Sequence, residues 1–278
     1  MNLNLEYEKV LLLANQFRLA MLDQVTGLIA KNNIGLGVPV ESRVKTIASI
    51  ENKIYKKTKS ITQLTDLDDL IGIRLILLFR DDVDRMCKIL SDNFEVLELE
   101  DTSKRLAENE FGYQSNHIVV RMPAEWIKVP SFSDFKDLKV EFQVRTLSQH
   151  IWAAASHKLQ YKNEASVPGP LKRAIHRASA LLETVDLELQ RLLEQRNEYL
   201  ENHMANAIGS SDINVDVLEK LLDEILPPQN KLKSGEDLSE LLQELVDFGY
   251  ESADKVRNVV MAYLNEVLAE DAVRAASG

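Results

Sequence analysis

One cysteine, Cys87, stands in a chain of 278 residues. A lone cysteine excludes an intrachain disulfide and a cysteine-based zinc site, and such usage suits a reducing compartment. Its neighbours Val83, Met86 and Leu90 mark it as packing material. Glycine (10) and proline (7) are sparse and scattered, so no segment is of low complexity. No apolar run approaches the ~20 residues needed to cross a bilayer. The first ten residues carry Glu6, Glu8 and Lys9 where a signal peptide would be apolar. Positive charge is the minority: 33 Lys and Arg against 44 Asp and Glu give a net charge of −11. That argues against a general nucleic-acid or membrane-surface binder but leaves room for a local basic pocket. A Gly-x4-Gly-Lys-Ser/Thr phosphate loop is also missing, which excludes a P-loop enzyme. The expectation is a soluble, cytoplasmic protein with no membrane partner.

What is present is enough apolar material for a real core, 45% of the residues. Val10, Leu13, Phe17, Met21 and Val25 recur at helical steps and predict a helix over 5–31, followed by a Gly- and Pro-containing break at 32–39. The next helix is predicted over 42–57, with Ile47, Ile50 and Ile54 inward. Arg43 sits at its entry, and Lys45, Ser49 and Lys53 fall on the opposite side, within roughly 80° of one another. That line is either a solvated cationic face or a grip for a polyphosphate. The apolar run 71–79 reads as a central strand buried on both faces. Asp69 stands at its mouth. Arg74 interrupts it, either as a paired buried cation or as the sign of a pocket. A helix over 81–92, strands over 94–99 and 118–122, and a charged loop between those strands follow. Tyr113, after Gly112, is either half-buried or an aromatic face for a nucleobase.

The stretch 140–146 alternates with period 2. Val140, Phe142 and Val144 point into a core; Glu141, Gln143 and Arg145 share the other face. Thr146 and Gln149 fit a capping box that opens a helix over 147–161. His150 and His157 lie on one stripe of that helix. Their seven-residue spacing does not match the i, i+4 metal pair, which leaves packing or hydrogen bonding. A long helix is predicted over 171–202, with a seam of Ile175, Ala178, Leu182, Val185, Leu189 and Leu192. It packs across the sheet or against another subunit, so a homo-oligomer is allowed. Three short helices, over 215–225, 238–248 and 253–269, carry no catalytic constellation.

The expected fold is α/β (α+β), a mixed sheet of about 4–5 strands flanked by helices, with a helical C-terminal extension. The expected divisions are an N-terminal helix and linker (1–39), a central domain (40–204) and a helical accessory module (205–278). Asp69 and Glu141 can form a carboxylate pair for Mg²⁺, which takes one or two carboxylates plus substrate phosphates. Arg43, Lys45, Lys53 and Arg145 supply cations, and Tyr113 a stacking surface. Together they point to phosphoryl-type transfer between nucleotides.

Five motifs occur in order: Arg43-x-Lys45-x3-Ser49-x3-Lys53; Asp69-Leu-Ile-Gly-Ile-Arg74; Gly112-Tyr113-Gln-Ser-x-His117; Glu141-Phe-Gln143-Val-Arg145-Thr146; His157-Lys158-x2-Tyr161-Lys162. This set resembles the synthetase domain of the RelA/SpoT family, the (p)ppGpp synthetases, over about residues 40–200, and in particular its small single-domain members. The resemblance implies a nucleotidyltransferase-like fold. It also implies transfer of the β,γ-pyrophosphate of ATP to the ribose 3′-hydroxyl of GDP or GTP with Mg²⁺. Arg43, Lys45, Ser49, Lys53 and Arg74 would bind ATP, Asp69 would hold Mg²⁺, and Glu141 would hold metal or take the hydroxyl proton. Tyr113, His117, Gln143, Arg145, His157 and Lys158 would line the acceptor side.

The pattern departs from the family before Tyr113. Asn109 and Phe111 stand where the family has the lysine and asparagine of Pro-Lys-x-Asn-Gly-Tyr. Two other expectations therefore stay beside the first. One is an acceptor that is an adenosine nucleotide or the tRNA 3′ end. The net charge weakens the tRNA version, while the strip Lys53, Lys56, Lys57 and Lys59 supports it. The other is a silent interaction protein that keeps the fold.

Overall fold

The computed structural model describes residues 3–55, 63–102, 115–158, 168–205, 213–227, 230 and 237–277, with side chains at all of these except 157–158, 170, 201–205 and 271–277. The chain divides into two compact units, Met1–Gln190 and Arg191–Gly278.

The first unit is built on a five-stranded mixed sheet in the order β1-β2-β5-β4-β3. Its strands are β1 (Glu41–Val44), β2 (Ile71–Leu77), β3 (Glu95–Asp101), β4 (Asn116–Arg121) and β5 (Val140–Thr146). β2 and β5 are parallel, and the other neighbours pair antiparallel. The helices are α1 (Leu3–Lys31), α2 (Ile47–Tyr55), α3 (Arg80–Asn93), α4 (Ala124–Ile127), α5 (Leu147–Lys158) and α6 (Gly169–Ala205). One sheet face carries Ile71, Ile73, Leu75, Leu77, Ile118, Val120, Val140, Phe142 and Val144. These residues share a core with Phe17, Met21 and Val25 of α1 and Met86 and Leu90 of α3. The N-terminal helix is therefore built into this core, with Phe17 meeting Phe135 at a ring separation of 5.3 Å.

Alternation in β5 is realised as read; β2 is an inner strand that ends at Leu77 rather than residue 79, and it is fully buried on one face only, because Gly72 and Arg74 on the other face open on a cavity. β3 is the edge strand. It keeps Glu95, Glu98 and Glu100 and a bulge between Val96 and Glu98, features that discourage edge-to-edge pairing. Cys87 is packed inside α3, and burial together with Asp84 and Asp101 pushes its thiol up to about 12, so it stays protonated at neutral pH.

Two further readings are corrected. The predicted 42–57 helix is a strand followed by a shorter helix. Glu41–Val44 pairs with Ile71–Arg74, and α2 starts only at Ile47. Arg43 is thus a strand residue, and Ser42, the first residue of the predicted helix, lies in β1 and accepts a hydrogen bond from Arg18 Nη1 (2.7 Å). The predicted seam of α6 is not its buried face either. Val185 and Leu192 are 48% and 58% exposed, while Ser179, Asp186 and Gln190 are buried. Hydrogen bonds hold α6 to the sheet unit: Thr146 Oγ1 donates to Asp186 (2.5 Å), and Gln190 Nε2 donates to Asp81 (2.8 Å).

The second unit packs α7 (Val215–Ile225), α8 (Ser239–Asp247) and α9 (Ala253–Ser277) around Leu218, Leu221 and Val256. Asn214 caps α7 by accepting from the Val217 amide, and Arg196 binds both Asp216 and Glu219. Among the described residues no helix is long and apolar enough to cross a membrane.

Candidate active site

The strand register assembles the site on the face away from the α1–α3 core. Two rows of residues cross the sheet. One runs Arg43, Gly72, Glu141, Val119; the next runs Glu41, Arg74, Gln143, His117. The first row has a gap. Gly72 has no side chain, and a Cβ built there meets nothing within 4 Å. The second row is filled and hydrogen-bonded. Arg74 Nε donates to Gln143 (3.1 Å), Arg74 Nη1 donates to Glu41 (3.1 Å), and Gln143 Nε2 donates to Glu141 (3.0 Å). The gap opens a cavity of about 300 Å³ lined by Glu41, Ser42, Arg43, Asp69, Gly72, Arg74, Glu141 and Gln143.

Asp69 lies in the turn before β2. Lys45, just past β1, and Lys53, in the second turn of α2, both close on it, at 2.5 and 2.9 Å. The Lys45 amide donates to Leu70 O, which ties the two segments together. Burial raises the Asp69 carboxyl, but hydrogen bonds and charge from the two lysines outweigh it and hold the group below the usual carboxylate range. Glu141 follows the same logic. Burial and nearby Asp69 push it up; His117, donating from Nδ1 at 2.8 Å, and Gln143 pull it lower. Both carboxylates are therefore ionised at neutral pH.

Arg145 is on the same face, buried beyond the cavity lining, where its Nη2 donates to His150 Nδ1 (3.0 Å). A guanidinium can only donate, so His150 is kept with its proton on Nε2. Burial and Arg145, then Arg74, lower the His150 pKa against an opposing pull from Glu41. The capping box is formed in full: the Gln149 amide donates to Thr146 Oγ1 and the Thr146 amide to Gln149 Oε1.

Of the residues read from sequence, Arg43, Lys45, Lys53, Asp69, Arg74, His117, Glu141 and Gln143 come together. Ser49 is exposed on α2, bonded to Thr46 Oγ1, and does not line the cavity. Tyr113 and the side chains of His157 and Lys158 lie outside the described residues. Glu41 and Gly72 are not singled out from sequence; His150 is, as a packing or hydrogen-bonding residue, but without Arg145 as its partner. The signal for Glu41 was its two-residue offset from Arg43, visible only if 41–44 is read as a strand. For His150 it was the five-residue step from Arg145.

The donor set suits Mg²⁺. Two ionised carboxylates, Asp69 and Glu141, face one cavity, and among the described residues there is no cluster of three or more His, Cys, Asp or Glu able to cage a metal alone. Two carboxylates are a donor set that Mg²⁺ could share with phosphate oxygens.

The region found in RelA/SpoT proteins matches residues 42–166. The chain is 32% identical over 156 residues to GTP pyrophosphokinase YjbM of Bacillus subtilis, spanning 55% of this chain and 70% of that protein. This chain belongs to the RelA/SpoT family. Its fold is that of the small alarmone synthetases. Small alarmone synthetase 1 from Bacillus subtilis superposes with a TM-score of 0.56 at 28% identity, over 69% of this chain and 98% of the other. The same protein bound to its product pppGpp gives 0.55 at 27% identity, over 68% and 97%. Bound to AMPCPP it gives 0.53 at 25%, over 69% and 98%. The RelA/SpoT match takes in every cavity-lining residue except Glu41, which precedes it by one position.

Proposed function

We propose that this chain is a pyrophosphokinase that transfers the β,γ-pyrophosphate of ATP to the ribose 3′-oxygen of GDP or GTP. The observation that carries the reading is the cavity itself: the Lys45–Asp69–Lys53 cluster and the His117–Glu141–Gln143 cluster flank the gap at Gly72. In the step, the 3′-oxygen forms a bond to the β-phosphorus. The bond from that phosphorus to the bridging oxygen of the α-phosphate breaks, and its electron pair leaves with AMP. The hydroxyl proton passes to Glu141, which His117 and Gln143 hold by one oxygen each. Such transfer is mostly positioning and charge stabilisation, and a placed carboxylate base assists a hydroxyl nucleophile. Arg43, Arg74, Lys45 and Lys53 supply positive charge for the triphosphate. Mg²⁺ held by Asp69 and Glu141 would offset phosphate charge as it builds. Ser49, Tyr113, Arg145, His157 and Lys158 keep the roles that the family resemblance implies. ATP and GTP as substrates fit a cytoplasmic enzyme.

The test offers γ-labelled ATP and Mg²⁺ with GDP, GTP, ADP, ATP and bulk tRNA as separate acceptors. Label on a guanosine nucleotide is expected. Label on an adenosine nucleotide or tRNA would replace the acceptor and trace to Asn109 and Phe111. Asp69→Asn and Glu141→Gln should each remove transfer while the fold survives, read as a cooperative melt at a lowered Tm. Turnover retained by either pure variant would sink the assignment.

A further inference from the structure

Glu41 lines the active-site cavity but lies one position before the family match, which therefore assigns it nothing. It stands on β1, at the sheet edge opposite β3, and faces Arg74 of β2 in the register. Arg74 in turn faces Gln143 of β5, and Gln143 faces His117 of β4. The four side chains share one sheet face as cross-strand neighbours. On charge alone a carboxylate is out of place in a cavity that has to take a triphosphate, since like charges repel. Its use lies in what it does to Arg74.

The hydrogen bonds of this row have a fixed direction. A guanidinium only donates. Arg74 Nη1 donates to Glu41 (3.1 Å), and Arg74 Nε donates to Gln143 Oε1 (3.1 Å). The oxygen of the Gln143 amide is thus taken on the Arg74 side, and its nitrogen is turned to Glu141, where Nε2 donates to Oε2 at 3.0 Å. If Arg74 swung away, the amide would lose the contact that sets which way round it lies. Turned over, it would put an oxygen against an ionised carboxylate, which can only accept. His117 already holds the other carboxylate oxygen, Oε1, at 2.8 Å. Gln143 decides whether the second oxygen is aimed or loose.

A triphosphate entering the cavity competes for Arg74, whose side chain is 32% exposed. Glu41 answers that competition. While its carboxylate holds Nη1 and Gln143 holds Nε, Arg74 can meet a phosphate only with what is left of its fork, chiefly Nη2. The Glu41–Arg74 pair is half-exposed, so it contributes little to stability; its effect is one of direction. On the pyrophosphokinase reading of this cavity, on which the inference rests, we propose that Glu41 is a positioning residue for the transfer. By holding Arg74 on Gln143, it keeps the Gln143 amide donating to Glu141 when the triphosphate arrives.

The experiment compares Glu41→Ala and Glu41→Gln with wild type, each as the full chain. One arm is steady-state transfer from ATP to the acceptor that takes the label. The other is the NMR signal of the Gln143 side-chain amide in protein carrying isotope-labelled glutamine, without nucleotide; Gln143→Leu identifies that signal by removing it. Glu41→Ala is expected to lower kcat about fivefold, the scale of one hydrogen bond. The KM for ATP should be unchanged or lower, because Arg74 is freed for the phosphates. The unliganded melt should stay near wild type, and the Gln143 amide protons should move toward the positions of a free side-chain amide. Glu41→Gln keeps an oxygen opposite Arg74 and should restore most of kcat and of the amide signal. A merely structural role would instead raise KM and lower the melt together. That result, an amide signal unmoved in Glu41→Ala, a kcat unchanged or raised, or a glutamine variant as poor as the alanine one would each overturn the proposal. A wild-type chain that transfers nothing would fail the pyrophosphokinase reading, whereas the amide signal is read without ATP and still decides whether Glu41 holds Gln143.

Discussion

Thr146→Val keeps the shape of a buried side chain and deletes one oxygen with two jobs. Thr146 Oγ1 accepts from the Gln149 amide at the start of α5 and donates to Asp186 of α6. Loss of such a cap costs about 1 kcal/mol. Loss of a hydrogen bond to a buried carboxylate costs about 1.5–3 kcal/mol, and among the described residues it leaves both Asp186 oxygens without a partner. The expected total is about 3 kcal/mol. For a unit of this size, 1 kcal/mol moves Tm by about 2–4 °C, so a fall of about 6–12 °C should appear. The chain's two tryptophans, Trp126 and Trp152, both lie in the first unit, so their fluorescence follows that unit's melting. Thr146→Ser, which retains the oxygen, should stay within about 1 kcal/mol of wild type. Thr146→Val/Asp186→Leu should melt above Thr146→Val alone, because it removes the stranded carboxylate as well. A Thr146→Val melt within about 2 °C of wild type, or a serine variant as unstable as the valine one, would refute the argument.

Two further expectations concern the cavity. Gly72→Leu should fold, since nothing stands within 4 Å of the added Cβ, yet fill the gap between Arg43 and Glu141; loss of ATP-dependent thermal stabilisation with an unchanged unliganded melt is the expected pair of readings, and retained ATP stabilisation would count against this cavity as the donor site. Asp69 and Glu141 are held below their ordinary values of 3.8 and 4.5. Their contribution to stability is therefore fully present above those values and is lost as pH falls through the lowered ones. The wild-type Tm should hold to about pH 5 and decline below about pH 4, and Asp69→Asn should lose less over that acid interval; identical acid slopes would show that the lysine clamp does not stabilise the fold.

How much of this was legible depended on how local the determining interaction is. β2 and β5 announce themselves through an apolar run and a period of 2, and the Thr146–Gln149 box is visible because its partners are three residues apart. β1 was hidden. Ile47, Ile50 and Ile54 form a helical stripe that invites extension backward to Ser42, while what makes 41–44 a strand is pairing with 71–74, about thirty residues away. α6 was misjudged for the same reason. Its leucines have a plausible seam, but its buried side is set by Asp186 finding Thr146 and Gln190 finding Asp81, hydrogen bonds across 40 and 109 residues. In the site, Asp69, Glu141 and the flanking cations could be named one by one. That Lys45 and Lys53 converge on one carboxylate, and that Glu41 and His150 steady Arg74 and Arg145, are facts of register.

The register also bears on how the proposed reaction would be assembled. The filled row from Glu41 through Arg74 and Gln143 ends on the oxygen of Glu141 that His117 leaves free, so the orientation of the carboxylate depends on side chains from four strands. The open row beside it supplies the space. In the unliganded arrangement Lys45 and Lys53 neutralise Asp69. A triphosphate entering the gap competes for those ammonium groups, and each one it draws away uncovers a carboxylate oxygen. A divalent cation needs that oxygen and, with so few protein ligands, needs the phosphates too. On the proposed function, donor and metal each improve the site for the other, which is a coupling free energy that must act equally in both directions.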